Sequence, residues 1–235
     1  MLKLLALLFG GLKLGKILLS VGSMLLMIGA YGLQFGWPFA VGFVALLAVH
    51  EGGHYIAARQ RGLAVGLPTF IPFVGAWIQL KEIPHDVETE AYVGIAGPVF
   101  GTLGALACYF YARHADSPLA LSLSYTGFFL NFFNLIPLTP FDGGRITAAV
   151  SPKIWLIGAP ILVAVFFVRP SPVLIVIAIL AAPQLIAVLR GQIDTNAAYY
   201  QIPLGQRIEY GAAYLALVVF LGTMLYALNT EFGLH

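Results

Sequence analysis

Charge is what this 235-residue chain has least of: Asp, Glu, Lys and Arg make up 9% of it, against 60% hydrophobic residues. A soluble globular domain carries about 25% charged residues, so the composition points to a bilayer as solvent. The single cysteine, Cys108, excludes an intramolecular disulfide and, lying in an apolar run, reads as a small packed hydrophobe. The net charge of +2 is not gathered into a basic cluster, so nucleic acid is not expected as a partner. Internal repeats and low-complexity linkers are also lacking. The length is expected to form one integral-membrane domain over 1–235, leaving no room for a separate soluble domain.

What the chain does have is long apolar runs, several near the ~20 residues that span a bilayer as a helix. The expected spans are Ile17–Leu33, Phe39–Ala58, Ala91–Ala112, Leu119–Pro137, Ile154–Val168, Pro172–Leu189 and Tyr210–Leu228. Met1–Phe9 reads as a short membrane-surface or entry segment leading into an uncleaved first span, because no small-residue cleavage site follows it. The fold class is an all-α polytopic membrane protein of about six to seven transmembrane helices.

Residues 63–80, LAVGLPTFIPFVGAWIQL, are uncharged but contain Gly66, Pro68, Pro72 and Gly75. Inside a helix each would cost about 1–3 kcal/mol. The β-branched and aromatic residues on either side of Val74-Gly75 suit two short strands and a turn. The segment is read as a membrane-associated β-hairpin over about 69–80, which needs protein or a wet cavity around it. Charge asymmetry supports that choice. If the segment does not cross and the N-terminus is cytoplasmic, Lys3, Lys13, Lys16, Arg59, Arg61, Lys81, Arg145, Lys153, Arg190 and Arg207 lie inside, and Arg113 and Arg169 outside. The split is ten to two; a crossing would make it seven to five. The positive-inside rule favours the first arrangement, with seven crossings and the C-terminus outside.

The second span ends AVGFVALLAVHEGGHYIAARQRG and contains His50-Glu51-Gly52-Gly53-His54, an H-E-x-x-H pattern. Helical residues four apart share a face, so both imidazoles reach one metal. Zinc accepts neutral histidine nitrogens, and Glu51 is placed to take a proton from water. Gly52 and Gly53 add no bulk and let another helix or a substrate approach. A chance match would fall in a polar loop. This one lies inside an apolar span about two turns from Arg59, where ionisable groups cost ~2.5–3.5 kcal/mol and mark function.

Two histidines leave a ligand to find. The fourth span runs into FFLNFFNLIPLTPFDGGRI, where Pro137 and Pro140 break the helix ahead of Asp142-Gly143-Gly144. A carboxylate is an acceptable third zinc ligand, and the topology places Asp142 on the same side as Arg59. Taken alone, Asp142 also reads as a helix N-cap.

H-E-x-x-H on a transmembrane helix followed by N-L-x-P-x-x-P-x-D-G-G resembles the site-2 protease family of intramembrane metallopeptidases, peptidase family M50. The resemblance covers about residues 38–150, the expected catalytic core, with 151–235 as additional helices. It implies a three-helix core, a Zn2+ ion held by His50, His54 and Asp142, and Glu51 as general base. It implies that Asn134 binds substrate or stabilises the oxyanion, with an interhelical hydrogen bond as its alternative role; Asn131, one turn earlier, is the weaker candidate. The hairpin is implied to pair with an unwound substrate as an added strand. The family's Gly-Pro pair is seen as Gly97-Pro98, but the Asn that many members carry three residues later is Gly101 here.

The expected function is hydrolysis of peptide bonds in transmembrane or membrane-associated protein substrates, at the cell membrane, with the active site toward the cytoplasmic side. The competing readings are a metal-ion transporter, since intramembrane His, Glu and Asp also mark ion pathways, and a catalytically silent membrane adaptor. Against transport, the ionisable groups form one cluster, and Gln184 alone continues a polar path in the last three spans. His85, His114 and His235 are read as loop or terminal residues, and Arg145 as an edge anchor. The oligomeric state and substrate identity are not encoded in any motif.

Overall fold

The structure is a computed structural model describing residues 2–73, 75–77, 82 and 84–231, with side chains from Gly15 onward except Trp77. Lys3, Lys13, Lys81 and His235 therefore lie outside the described side chains.

Among the described residues, eight α-helices and one hairpin follow in chain order: α1 (Leu2–Phe35), α2 (Trp37–Gln60), β1 (Thr69–Ile71), β2 (Gly75–Trp77), α3 (Val87–Ala115), α4 (Pro118–Asn134), α5 (Asp142–Val150), α6 (Trp155–Val168), α7 (Pro172–Leu189) and α8 (Leu204–Glu231). Five helical segments have the length and apolarity to cross a membrane: Gly15–Phe35, α2, α3, α7 and α8. The other two expected crossings correspond to α4, of 17 residues, and to the shorter apolar stretch Pro152–Val168. The chain is an all-α polytopic membrane protein with one small antiparallel hairpin.

The N-terminal run and the first expected span form one helix: α1 is continuous from Leu2 to Phe35. No proline lies within it, and Gly10 and Gly11 alone do not interrupt the backbone ladder. The hairpin turn lies earlier than expected: Ile71 pairs with Gly75, so the turn falls between them and Gly75 opens β2. Phe73 (φ 64°) takes the left-handed position there.

Gly36, at φ 89°, separates α1 from α2. The two helices fold against each other, with Met27 packed among Val44, Leu47 and Phe70. α1 also holds the hairpin: Ser20 Oγ donates to Pro68 O (2.6 Å), Phe70 N to Ser23 Oγ (3.1 Å) and Phe73 N to Tyr31 Oη (3.2 Å). α3 begins at an Asp86 N-cap that accepts from Thr89 N (2.7 Å) and carries Glu88 and Glu90 in its first turn. Acidic groups there suit the helix dipole. α3 is central, packing on α2, α4 and α5.

One end of the bundle is tied by polar links. Arg61 pairs with Glu88 at 2.6 Å and lies over the Tyr92 ring. Tyr210 Oη donates to Glu88 (2.5 Å), and Tyr199 Oη to Glu90. Burial first, and then the Glu90 carboxylate, hold the Tyr199 phenol above its ordinary pKa, so it stays a donor. Arg207 donates to Val150 O (2.9 Å) and Tyr200 O (2.6 Å), closing the C-terminal end of α5. At the opposite end Arg113 pairs with Glu231. The starts of α3 and α8 therefore meet, as do their ends, and the two helices run parallel.

Candidate metal centre

α2 presents His50 and His54 on one face, as the i, i+4 spacing requires. Both are buried, at 2% and 7% exposure. Asp142 (6% exposed) comes from the first turn of α5. The two helices are brought together by the loop 135–141. A Cβ on Gly143 would lie 2.2 Å from Leu135 O, and one on Gly144 2.4 Å from Thr139 N, so only Gly-Gly lets α5 seat this closely on the loop. Trp155 Nε1 donates to Gly144 O (2.8 Å) and pins the arrangement from α6. The capping alternative for Asp142 does not hold. Phe141 is the N-cap, no side chain caps the helix, and the Asp142 carboxylate points at the histidines.

Three donor atoms converge. His50 Nε2 and His54 Nε2 are each 3.2 Å from Asp142 Oδ2 and 3.1 Å from each other. Ligands about 2.0–2.1 Å from a tetrahedral metal lie roughly 3.3–3.4 Å apart, so the triangle has close to the required size. Its protonation state follows from the outer partners. His54 Nδ1 faces Val93 O at 2.8 Å, and a carbonyl can only accept, so that nitrogen carries the hydrogen. His50 Nδ1 faces Asn131 Oδ1 at 2.8 Å, also an acceptor. In the neutral imidazoles, Nε2 is thus the nitrogen with the free lone pair. In that form the cluster presents three lone-pair atoms within 3.2 Å of one another, a donor set that a cation would join. The residues present fit a zinc-type ion, and they form the one such group among the described residues. His85 and His114 are exposed and lie outside it.

α3 supplies no ligand but makes the room. A Cβ on Gly97 would lie 2.2 Å from His54 Nε2, and one on Gly53 of α2 2.5 Å from Ala96 O. Of the glycine pair in the motif, Gly53 thus permits helix approach, whereas Gly52 faces open space.

The centre opens into a cavity of about 710 Å³. Its walls come from α2, from Gly75 and Ala76 of β2, from α4, from α5 and from Val173, Val176, Ile177 and Leu180 of α7. Glu51 (6% exposed) faces this cavity. So does Asn134, whose Nδ2 donates to Leu130 O (3.1 Å). Arg145, read from sequence as an edge anchor, instead lines the same cavity, half-buried. Asn131, buried on α4, takes a place that sequence reasoning did not foresee. It bonds a candidate metal ligand, whereas Asn134 faces the space where a substrate would lie.

A family model described as Peptidase family M50 matches residues 38–116, a stretch that includes His50, Glu51, His54 and Gly97. Over that stretch, about a third of its length, the chain is similar to peptidase family M50. Among curated proteins, "Zinc metalloprotease MJ0392" of Methanocaldococcus jannaschii is 33% identical over 123 residues, 49% of this chain and 35% of that protein. "Probable zinc metalloprotease EGY1, chloroplastic" of Arabidopsis thaliana is 36% identical over 69 residues, 27% of this chain and 13% of the relative. "Probable zinc metalloprotease EGY2, chloroplastic" of the same plant is 35% identical over 74 residues, 29% and 13%. The chain spans about a third or less of the length of these relatives. The M50 match ends ahead of Asp142, so Asp142 as a candidate third ligand rests on geometry alone.

Proposed function

We propose that this chain is an intramembrane zinc metalloprotease that hydrolyses peptide bonds of transmembrane or membrane-associated proteins. The observation that carries the reading is the convergence of His50 Nε2, His54 Nε2 and Asp142 Oδ2 within 3.2 Å, beside a carboxylate that faces the same cavity. The names of the relatives, all zinc metalloproteases, supply the metal.

His50, His54 and Asp142 would hold the ion. It would supply Lewis acidity, making water a better nucleophile near neutral pH and polarising a carbonyl. Glu51 is the general base. It takes a proton from water as the oxygen attacks the acyl carbon, then gives that proton to the amine as the C–N bond breaks. Asn134 has a second amide hydrogen beyond its bond to Leu130 O, and it donates to the developing oxyanion.

The cavity also suggests how a substrate lies. α1 occupies the outer side of β1 through Ser23, whereas Gly75 and Ala76 of β2 face the cavity. An unwound substrate segment adds to β2 as a third strand, against apolar walls from Phe129, Phe133 and α7. The site lies toward the cytoplasmic side of a cell membrane. His54 precedes Gln60 by six residues, about 9 Å along the helix, and that end carries Arg59, Arg61 and Arg207.

The test is zinc content and cleavage measured together. Glu51→Gln should keep zinc and lose cleavage, and Asp142→Ala should lose zinc. Equal metal in wild type and Asp142→Ala would refute the three-ligand site. Metal flux without proteolysis would refute the protease.

A further inference from the structure

Asn131 carries out no step of the reaction above, yet its surroundings are fully committed. It is 1% exposed. Its Nδ2 donates to Gly127 O (2.7 Å), one turn back on α4. That bond fixes which way the amide points, so the acceptor Oδ1 is the atom facing His50 Nδ1 at 2.8 Å. A histidine without such a partner divides between two tautomers and turns about its ring axis; in one of those tautomers an N–H occupies the place of the metal.

The space for this amide comes from α3. A Cβ on Gly101 would lie 2.2 Å from Asn131 Oδ1 and 2.7 Å from its Nδ2. The α4 side chain fills the volume that any α3 side chain at 101 would take. The two positions are 30 residues apart in sequence and form one fitted pair.

We infer that Asn131 is a positioning residue for the metal centre: it fixes the Nδ1–H tautomer and ring orientation of His50, and position 101 is glycine in order to admit it. The inference rests on the zinc reading. A packing residue would affect folding and leave metal affinity alone. A positioning residue changes affinity and the geometry about the ion, because such outer partners set ligand orientation.

The experiment compares wild type, Asn131→Leu and Gly101→Ala, purified in detergent. Zinc affinity is measured by competition with a chelator, and geometry by the visible absorption of the cobalt-substituted protein. Asn131→Leu removes the acceptor at similar volume. Gly101→Ala removes no hydrogen-bonding group and introduces the better helix former, so it decides the matter if Asn131→Leu does not fold. Zinc affinity should fall by about 10–100-fold in both, with a shifted cobalt spectrum. Wild-type affinity and an unchanged cobalt spectrum in either folded variant would overturn the inference while the zinc reading stands. A wild type that holds no zinc would overturn both.

Discussion

Gly97→Ala should strip the metal centre while leaving the membrane bundle standing. The added Cβ would lie 2.2 Å from His54 Nε2, 2.4 Å from Cε1 and 2.8 Å from Cδ2. Ordinary contact begins near 3.4 Å, so the overlap is more than 1 Å and falls on the metal-binding atom itself. The ring cannot retreat freely, because its other nitrogen is bonded to Val93 O at 2.8 Å. Either the imidazole leaves its place or α2 and α3 separate. Overpacking of this kind costs about 1–3 kcal/mol, which a bundle with three further packed helices can absorb. The metal site cannot absorb it, since ligand distances must hold to about ±0.2 Å. Zinc affinity is expected to drop by at least about 100-fold, beyond the usual effect of an outer partner. Gly52→Ala is the control: it lies in the same motif, and its Cβ would meet nothing within 4 Å. The assay is zinc retained after chelator dialysis, with helicity and detergent-phase elution as checks on folding. A folded Gly97→Ala protein with wild-type zinc would refute the geometry.

Three further outcomes are expected. Asn134→Ala should lower kcat by about 10²–10³ with zinc retained, measured on any peptide that the wild type cleaves. Gly143→Ala places a Cβ 2.2 Å from Leu135 O, a backbone atom; α5 should be displaced and Asp142 drawn off the site, read as lost zinc. Tyr199→Phe removes the hydrogen bond to Glu90 and should cost about 1–3 kcal/mol of thermal stability without changing zinc content.

The cluster of candidate metal ligands was legible because its signals are local or topological. His50 and His54 share a face by spacing, and Asp142 follows a segment that two prolines must break. The hairpin was legible from proline and glycine in an otherwise apolar run. Its turn was not, because Phe73 takes a left-handed conformation that its residue type disfavours. Asn131 and Asn134 could not be ranked, since they lie three residues apart on one uncharged helix and only the way α4 crosses α2 and α3 decides which meets His50. One signal pointed the right way. Gly101 lacks the side chain that the family resemblance leads one to expect, and a buried gap beside a metal site needs another group to fill it. The place of Arg145 in the cavity wall was not legible for a related reason: charge counts place a residue at a membrane edge, but they do not say which wall of a cavity it joins.

The helix that contributes no ligand sets the dimensions of the site. Gly94, Gly97, Gly101 and Gly104 lie at i, i+3, i+7 and i+10, along one face of α3. Their would-be Cβ atoms meet, in turn, Arg145 Cβ of α5 (3.1 Å), His54 Nε2 of α2 (2.2 Å), Asn131 Oδ1 of α4 (2.2 Å) and Leu46 Cδ2 of α2 (3.1 Å). The two contacts that tolerate no side chain at all are a metal ligand and the partner of a metal ligand. The two that need only a small adjustment lie one turn to either side of them. Close packing of glycine on apolar side chains would stabilise a membrane bundle anywhere along α3, since small residues let helix backbones approach. Here the tightest fit coincides with the donor triangle. A structural stripe has no reason to be narrowest at His54 and Asn131, whereas a stripe that sets the separation of metal ligands does.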